Sequence, residues 1–301
     1  MTDLEFYAAQ SQVTQPGQFA SRVQAASGSL HEMRAAARDL VFHYRAGGDY
    51  AANGIAAERV AEIDTRYAED MLGRLCELAD VPLGQSRAPS QRLVGCCRDH
   101  TVLFLTILRE HGVPARARVG FATYFAPGWY IDHVVAEVWD SGQQRWRLMD
   151  AELPDEWEDP ATGAVLDPED LTASQFLTGP VAWRACRSGA ADPARFVVDP
   201  GLDIPVTRGW PYIRHNLIHD LAALTKHEML LWDNWGWTEI DEPAPEQLAL
   251  LDELAAATIG DAPLARIREF YDRDGLRVPA QVTSYSPASA TPLVVPVSRT
   301  A

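Results

Sequence analysis

Two adjacent cysteines, Cys96 and Cys97, open the stretch GCCRDHTVLFLTILREHGVPARARVG that begins at Gly95. Cys97 stands at the first turn of the helix which follows, where unpaired N–H groups and the helix dipole favour a thiolate. A nucleophilic thiol also needs a group that takes its proton and hands it to a leaving amine, which an imidazole does near neutral pH. A carboxylate behind the imidazole sets its tautomer and orientation. His133 and Asp150 can supply both, because HVVAEVWD and RWRLMD read as two arms of one hairpin. Centring the turn on Gly142-Gln143 puts Ser141 opposite Gln144, and Val135 opposite Asp150. Side chains alternate along a strand, so His133 shares a face with Val135 and hence with Asp150, one diagonal away. Diagonal neighbours lie about 7–8 Å apart at the backbone, within reach of a His–Asp hydrogen bond. A turn one residue longer or shorter would put them on opposite faces. The chemistry implied is attack of a thiol on an acyl carbon.

The elements that must hold these groups follow from pattern. SLHE makes Ser29 an N-cap with Glu32 three residues on, a capping box, and Leu30, Met33, Ala37, Leu40, Val41 and Tyr44 then recur at helical spacing. A second helix is expected over about 55–79, followed by an irregular loop punctuated by Pro82, Gly84 and Pro89. The third, Cys97 to His111, is apolar nearly all round and is therefore central. Gly112 and Pro114 end it. RARVGFATYF, HVVAEVWD and RWRLMD are strands, the last two joined by a type II′ turn at Gly142-Gln143. Helical spacing returns in PYIRHNLIHDLAALTKHEMLLWDN and APEQLALLDELAAAT, while the residues after Gly275 read as a flexible tail. The fold class expected is α+β.

Gly95 with Cys97, Gly112 through Arg116, His133 with Glu137, and Trp146 with Asp150 together resemble the transglutaminase-like branch of the papain-type cysteine enzymes. The resemblance covers residues 95–150. It implies a core in which a central helix packs on an antiparallel sheet, with helical N- and C-terminal additions: 1–90 as the N-terminal helical part, 91–190 as the catalytic core, 191–274 as a helical extension and 275–301 as the tail. It also implies Cys97 as nucleophile, His133 as general base and acid, and Asp150 as the orienting carboxylate. The family's oxyanion hole uses the cysteine's own N–H and an upstream side chain. No Trp precedes Cys97 here, which leaves Gln91, six residues upstream, with Gln85 as the other candidate. The family's Asp-Pro is replaced by Asp150-Ala151-Glu152.

Other residues have blander readings. Cys76, Cys96 and Cys186 read as packed, free thiols. Asp99 complements the helix N-terminus, and Arg98, Arg116 and Arg118 read as structural ion-pair partners. His215 and His219 have a spacing that can bind metal, but a solvated polar face is the expectation. Trp232, Trp235 and Trp237 are expected to anchor C-terminal helices on the core. A net charge of -16 and a pI near 4.8 disfavour nucleic-acid and anionic-membrane partners. The first residues carry neither a basic n-region nor an apolar run, and a cytoplasmic protein is expected. No metal or organic cofactor is required. The expectation is a thiol enzyme acting on a small-molecule or peptide amide, with hydrolysis slightly preferred over transfer to an amine. Its rivals are a non-catalytic binding or scaffold protein of the same fold and a metal hydrolase built on His215 and His219.

Overall fold

The computed structural model describes residues 1–298. At its centre lies the helix Cys97–Glu110, in which every residue from Cys97 to Arg109 is buried. Its end follows from Gly112, at φ +71°, a left-handed conformation that any other residue would hold under strain. The helix rests on a mixed sheet in which Arg145–Met149, Tyr130–Asp140, Ala115–Ala122 and Phe176–Thr178 are successive antiparallel neighbours. A two-residue strand, Phe196–Val197, pairs in parallel with the start of Tyr130–Asp140. Ala115, Ala117, Val119, Val134, Ala136 and Val138 pack with Val102, Leu103 and Phe104 of the helix. Alternation sends Arg116, Arg118, Val135 and Glu137 to the other face. The hydroxyl of Thr101 donates to the Val134 carbonyl at 3.0 Å, fixing the helix along the histidine-bearing strand. This is the expected α+β arrangement.

The hairpin register is the one the sequence implies: Ala136 faces Met149, Glu137 faces Leu148 and Trp139 faces Trp146. The turn differs. Asp140 and Arg145 form the last pair, leaving a four-residue loop with Gln144, not Gly142, at positive φ. The Asp140 side chain accepts from the backbone N–H of Gly142 and of Gln143, which organises the wider loop. Because the loop is centred on the same bond, parity is unchanged.

Three other expectations are corrected. The helix capped by Ser29 runs only Leu30–Leu40, and Val41–His43 is a strand paired in parallel with Leu93–Gly95. The single helix over 55–79 is a 3-10 segment, Ala57–Asp64, and an α-helix, Ala68–Leu78. Between them the carbonyls of Thr65 and Arg66 accept from the Arg98 guanidinium and are lost to helical bonding. The region after Gly275 holds two strands, Gln281–Ser284 and Leu293–Pro296, in a three-stranded sheet with Asp233–Asn234. Its last residues, 299–301, lie outside the described part. No helix among the described residues is long and apolar enough to cross a membrane.

The helix Gly209–Leu224 is buried along most of its length, so His215 and His219 are not on a solvated face. Their rings stack at 3.9 Å, His219 bonds the Asp233 carbonyl, and burial pushes His215 down to about 4. No group of side chains suited to a metal ion occurs among the described residues. Asp220, on the same helix, takes two hydrogen bonds from Arg118 and one from the Val119 N–H, while Glu137 pairs with both Arg116 and Arg118. The arginines are structural, as expected. So are the tryptophans: Trp232 donates to Asp64 and Trp235 to the Leu276 carbonyl.

Candidate active site

Gly95 precedes the cysteines for a steric reason. A Cβ there would lie 2.7 Å from Asp99 Oδ2 and 2.9 Å from Val41 Cγ1. That Asp99 oxygen accepts the Cys96 N–H at 2.9 Å and so closes the start of the helix. The N–H groups of Asp99 and His100 are bonded to the Cys96 carbonyl. The Cys97 N–H has no acceptor among the described residues, and it is the donor an oxyanion would need.

His133 and Asp150 meet as the register requires. His133 Nε2 lies 2.8 Å from Asp150 Oδ2, with His133 2% and Asp150 0% exposed. The carboxylate is fully engaged. Oδ2 also accepts the Tyr124 hydroxyl at 2.7 Å, and Oδ1 accepts the N–H groups of Glu152 and Leu153. Burial opposes charge on Asp150, but the His133 ring, the Tyr124 hydroxyl and the Glu152 N–H overcome it and hold the group at about 2. Burial likewise opposes charge on His133, and Asp150 overcomes it, raising the imidazole above its ordinary value. The Asp150 and Leu153 carbonyls are tied to Arg34, so the chain leaving the strand is fixed where the family's Asp-Pro is missing.

Cys97 departs from expectation in one respect. Its thiol is pushed well up, first by the neighbouring Cys96 side chain and then by burial, so the helix N-terminus does not leave it ionised. The residue is 5% exposed and packs with the apolar cluster of the central helix. Its polar surroundings include Glu152 and Asp132, both of which act against the thiolate. Among the described residues no hydrogen bond joins Cys97 to His133, and His133 Nδ1 has no protein partner. The helix packs on the face of Val134, whereas His133 belongs to the alternate face with Val135. Aromatic rings enclose the imidazole: Phe125 at 4.9 Å, Tyr124 at 6.1 Å and Phe176 at 6.4 Å between centroids. Trp157 stands edge-on against Phe125 at 5.8 Å and donates to the Tyr124 carbonyl.

Gln91 is engaged elsewhere. It ends the 3-10 turn Pro89–Gln91, and its side-chain oxygen accepts the Ala88 N–H at 3.1 Å. This turn-closing bond uses the acceptor end of the Gln91 amide and not its Nε2, the end an oxyanion would need. Gln85 lies exposed in the preceding turn.

Several polar residues near the pair escaped the sequence reading. Tyr124 carried no signal beyond its place at a strand end. Asp132 accepts the Tyr212 hydroxyl at 2.6 Å and Asn216 Nδ2 at 2.8 Å, yet burial pushes it up to about 6. His100 was visible only as one more position of a buried helix, and Glu152 only in the departure from the family's Asp-Pro.

Residues 81–151 match the family model of the transglutaminase-like superfamily. This segment is similar to a transglutaminase-like core. It contains the Cys97 helix, the His133 strand and Asp150, and it ends just after the last of them. No curated protein matches the chain. Among solved structures, a candidate cysteine protease from Cytophaga hutchinsonii is similar at 16% identity and a TM-score of 0.34, over 58% of this chain and 50% of that one. That overlap is too low to carry fold or activity across.

Proposed function

We propose that the chain is a cysteine-dependent acyl-transfer enzyme, with Cys97 as nucleophile, His133 as acid and base, and Asp150 as the carboxylate that orients His133. The observation that carries the reading is the 2.8 Å bond from His133 Nε2 to a four-times-bonded Asp150, which leaves Nδ1 for the thiol. In acylation His133 Nδ1 takes the Cys97 proton as sulfur adds to the acyl carbon, and the Cys97 N–H supports the oxyanion. Collapse breaks the bond to the leaving amine, which receives the proton from His133. The thioester is then resolved by water, our preferred acceptor, or by an amine. Sulfur and ring must close on each other for the first step, and such contacts tighten when substrate binds.

A second reading has its own support. The 5% exposure of Cys97 and its raised thiol suit a binding protein that keeps the core without turnover. One experiment separates the two. The protein and its Cys97→Ala variant are offered p-nitrophenyl acetate and then cell extract, and intact masses are recorded. The enzyme reading expects an acyl adduct on Cys97 that is absent from the variant; no mass gain in either protein, or the same mass gain in both, favours the binding protein. The adduct from extract would report the natural acyl group.

A further inference from the structure

Two buried polar groups beside the triad have no protein partner. Both ring nitrogens of His100 are unbonded although the residue is only 2% exposed, and Glu152 Oε2 is likewise buried and unbonded. Leaving such groups without a hydrogen bond costs about 1–3 kcal/mol each. Structures tolerate that cost where a ligand or an ordered water completes the bonding.

Their positions relate both to the proposed chemistry. His100 is three residues beyond Cys97 on one helix, so the two share a face with Cβ atoms about 5–6 Å apart. Glu152 is two residues beyond Asp150, and its N–H donates to Asp150 Oδ1 at 2.8 Å. His100 and Glu152 act on each other electrostatically, and both feel Asp150 and His133. Nothing on the helix or on the turn after Asp150 requires an imidazole or a carboxyl there for packing, since neither polar end bonds the protein.

We propose that His100 and Glu152 form the acceptor subsite, holding the small neutral nucleophile that resolves the thioester on Cys97. This rests on the proposed function. The occupant is a molecule with both a lone pair and an O–H or N–H, either water or a primary amine. A neutral imidazole presents one donor and one acceptor, and the carboxyl supplies a further partner, so together they orient such a molecule with its lone pair free. Burial keeps His100 near 4 and therefore neutral at physiological pH, suited to positioning while His133 moves the proton. In deacylation the nucleophile's oxygen or nitrogen bonds the acyl carbon, and its proton passes to His133 Nδ1. The carbon–sulfur bond breaks, and Cys97 recovers the proton from His133. The product is a free acid with water, or an amide with an amine. His100 and Glu152 are positioning residues.

The test separates the two half-reactions with p-nitrophenyl acetate, first in buffer and then with glycinamide. The nitrophenolate burst reports acylation, and loss of the acetyl mass from Cys97 reports deacylation. His100→Phe and Glu152→Leu should leave the burst rate within about threefold and slow deacylation tenfold or more. Conservative variants that keep hydrogen-bonding groups, His100→Gln and Glu152→Gln, should lose less. If water is the occupant, the loss appears in buffer; if an amine is, it appears in the acceleration by glycinamide. Unchanged deacylation in both arms, or burst and deacylation falling together in the conservative variants, overturns the subsite. Failure of the wild-type protein to acetylate at Cys97 overturns the proposed function, and the subsite with it.

Discussion

Replacing Asp150 with Asn tests the geometry at its most constrained atom. Asp150 Oδ1 accepts two backbone N–H groups, from Glu152 and Leu153, and Oδ2 accepts the His133 ring and the Tyr124 hydroxyl. An asparagine must keep its oxygen toward the two N–H donors, because its amide nitrogen cannot accept from them. The NH2 therefore faces His133, whose Nε2 becomes the acceptor, and the ring proton moves to Nδ1. That tautomer cannot take a proton from Cys97, and the loss expected in acylation is about 10⁴-fold, as when an orienting Asp is amidated in other triads. Stability changes by a separate amount. Holding Asp150 at about 2 against an ordinary 3.8 favours its charged form in the fold. At about 1.4 kcal/mol per pH unit, that difference is worth about 2 kcal/mol at neutral pH. The group's folded value is depressed, so this stability is present above 3.8 and is lost as pH falls through about 2. Burst kinetics with p-nitrophenyl acetate at about pH 7 and thermal melts at about pH 7 and about pH 1.5, on either side of the transition, read the two effects. An Asp150→Asn protein that keeps acylation within about tenfold of wild type would refute the assignment, whatever its melting temperature.

Three further outcomes are expected. Trp157→Ala removes the ring that braces Phe125 over His133, and it should speed alkylation of Cys97 by iodoacetamide several-fold, as measured by mass; an unchanged rate would show that these rings do not control access. Asp132 has a folded value raised to about 6, so the wild-type protein should lose stability as pH rises from about 4 to 6, by up to about 3 kcal/mol. Asp132→Asn, which can still accept from Tyr212 or Asn216, should flatten that loss in urea melts at pH 4 and pH 7 (about the ends of the window). Asp220→Ala leaves Arg118 with one buried partner fewer and the Val119 N–H unbonded, and it should cost about 3–5 kcal/mol in a denaturant titration.

What the sequence determined by itself was whatever depends on short-range periodicity. The alternation of His133, Val135 and Glu137 against Trp146, Leu148 and Asp150 survives a wrong turn type, because only the centre of the loop sets parity. The length of the central helix was equally legible, since Gly112 and Pro114 stop it and its apolar residues encircle it. Tertiary structure alone decided the rest. Val41–His43 is a strand because Leu93–Gly95 pairs with it, although its local pattern continues a helix. The helix over 55–79 breaks because Arg98, distant in sequence, takes the carbonyls of Thr65 and Arg66. Tyr124 reaches Asp150, Tyr212 and Asn216 reach Asp132, and His100 comes within electrostatic reach of Glu152 only once separate segments are folded together. The thiol of Cys97 showed the same limit: its place at a helix N-terminus was readable, but the burial that outweighs the dipole is a property of everything packed around it. Local backbone preference is written in neighbouring residues, whereas desolvation and long-range hydrogen bonding are set by groups that the chain brings together from afar.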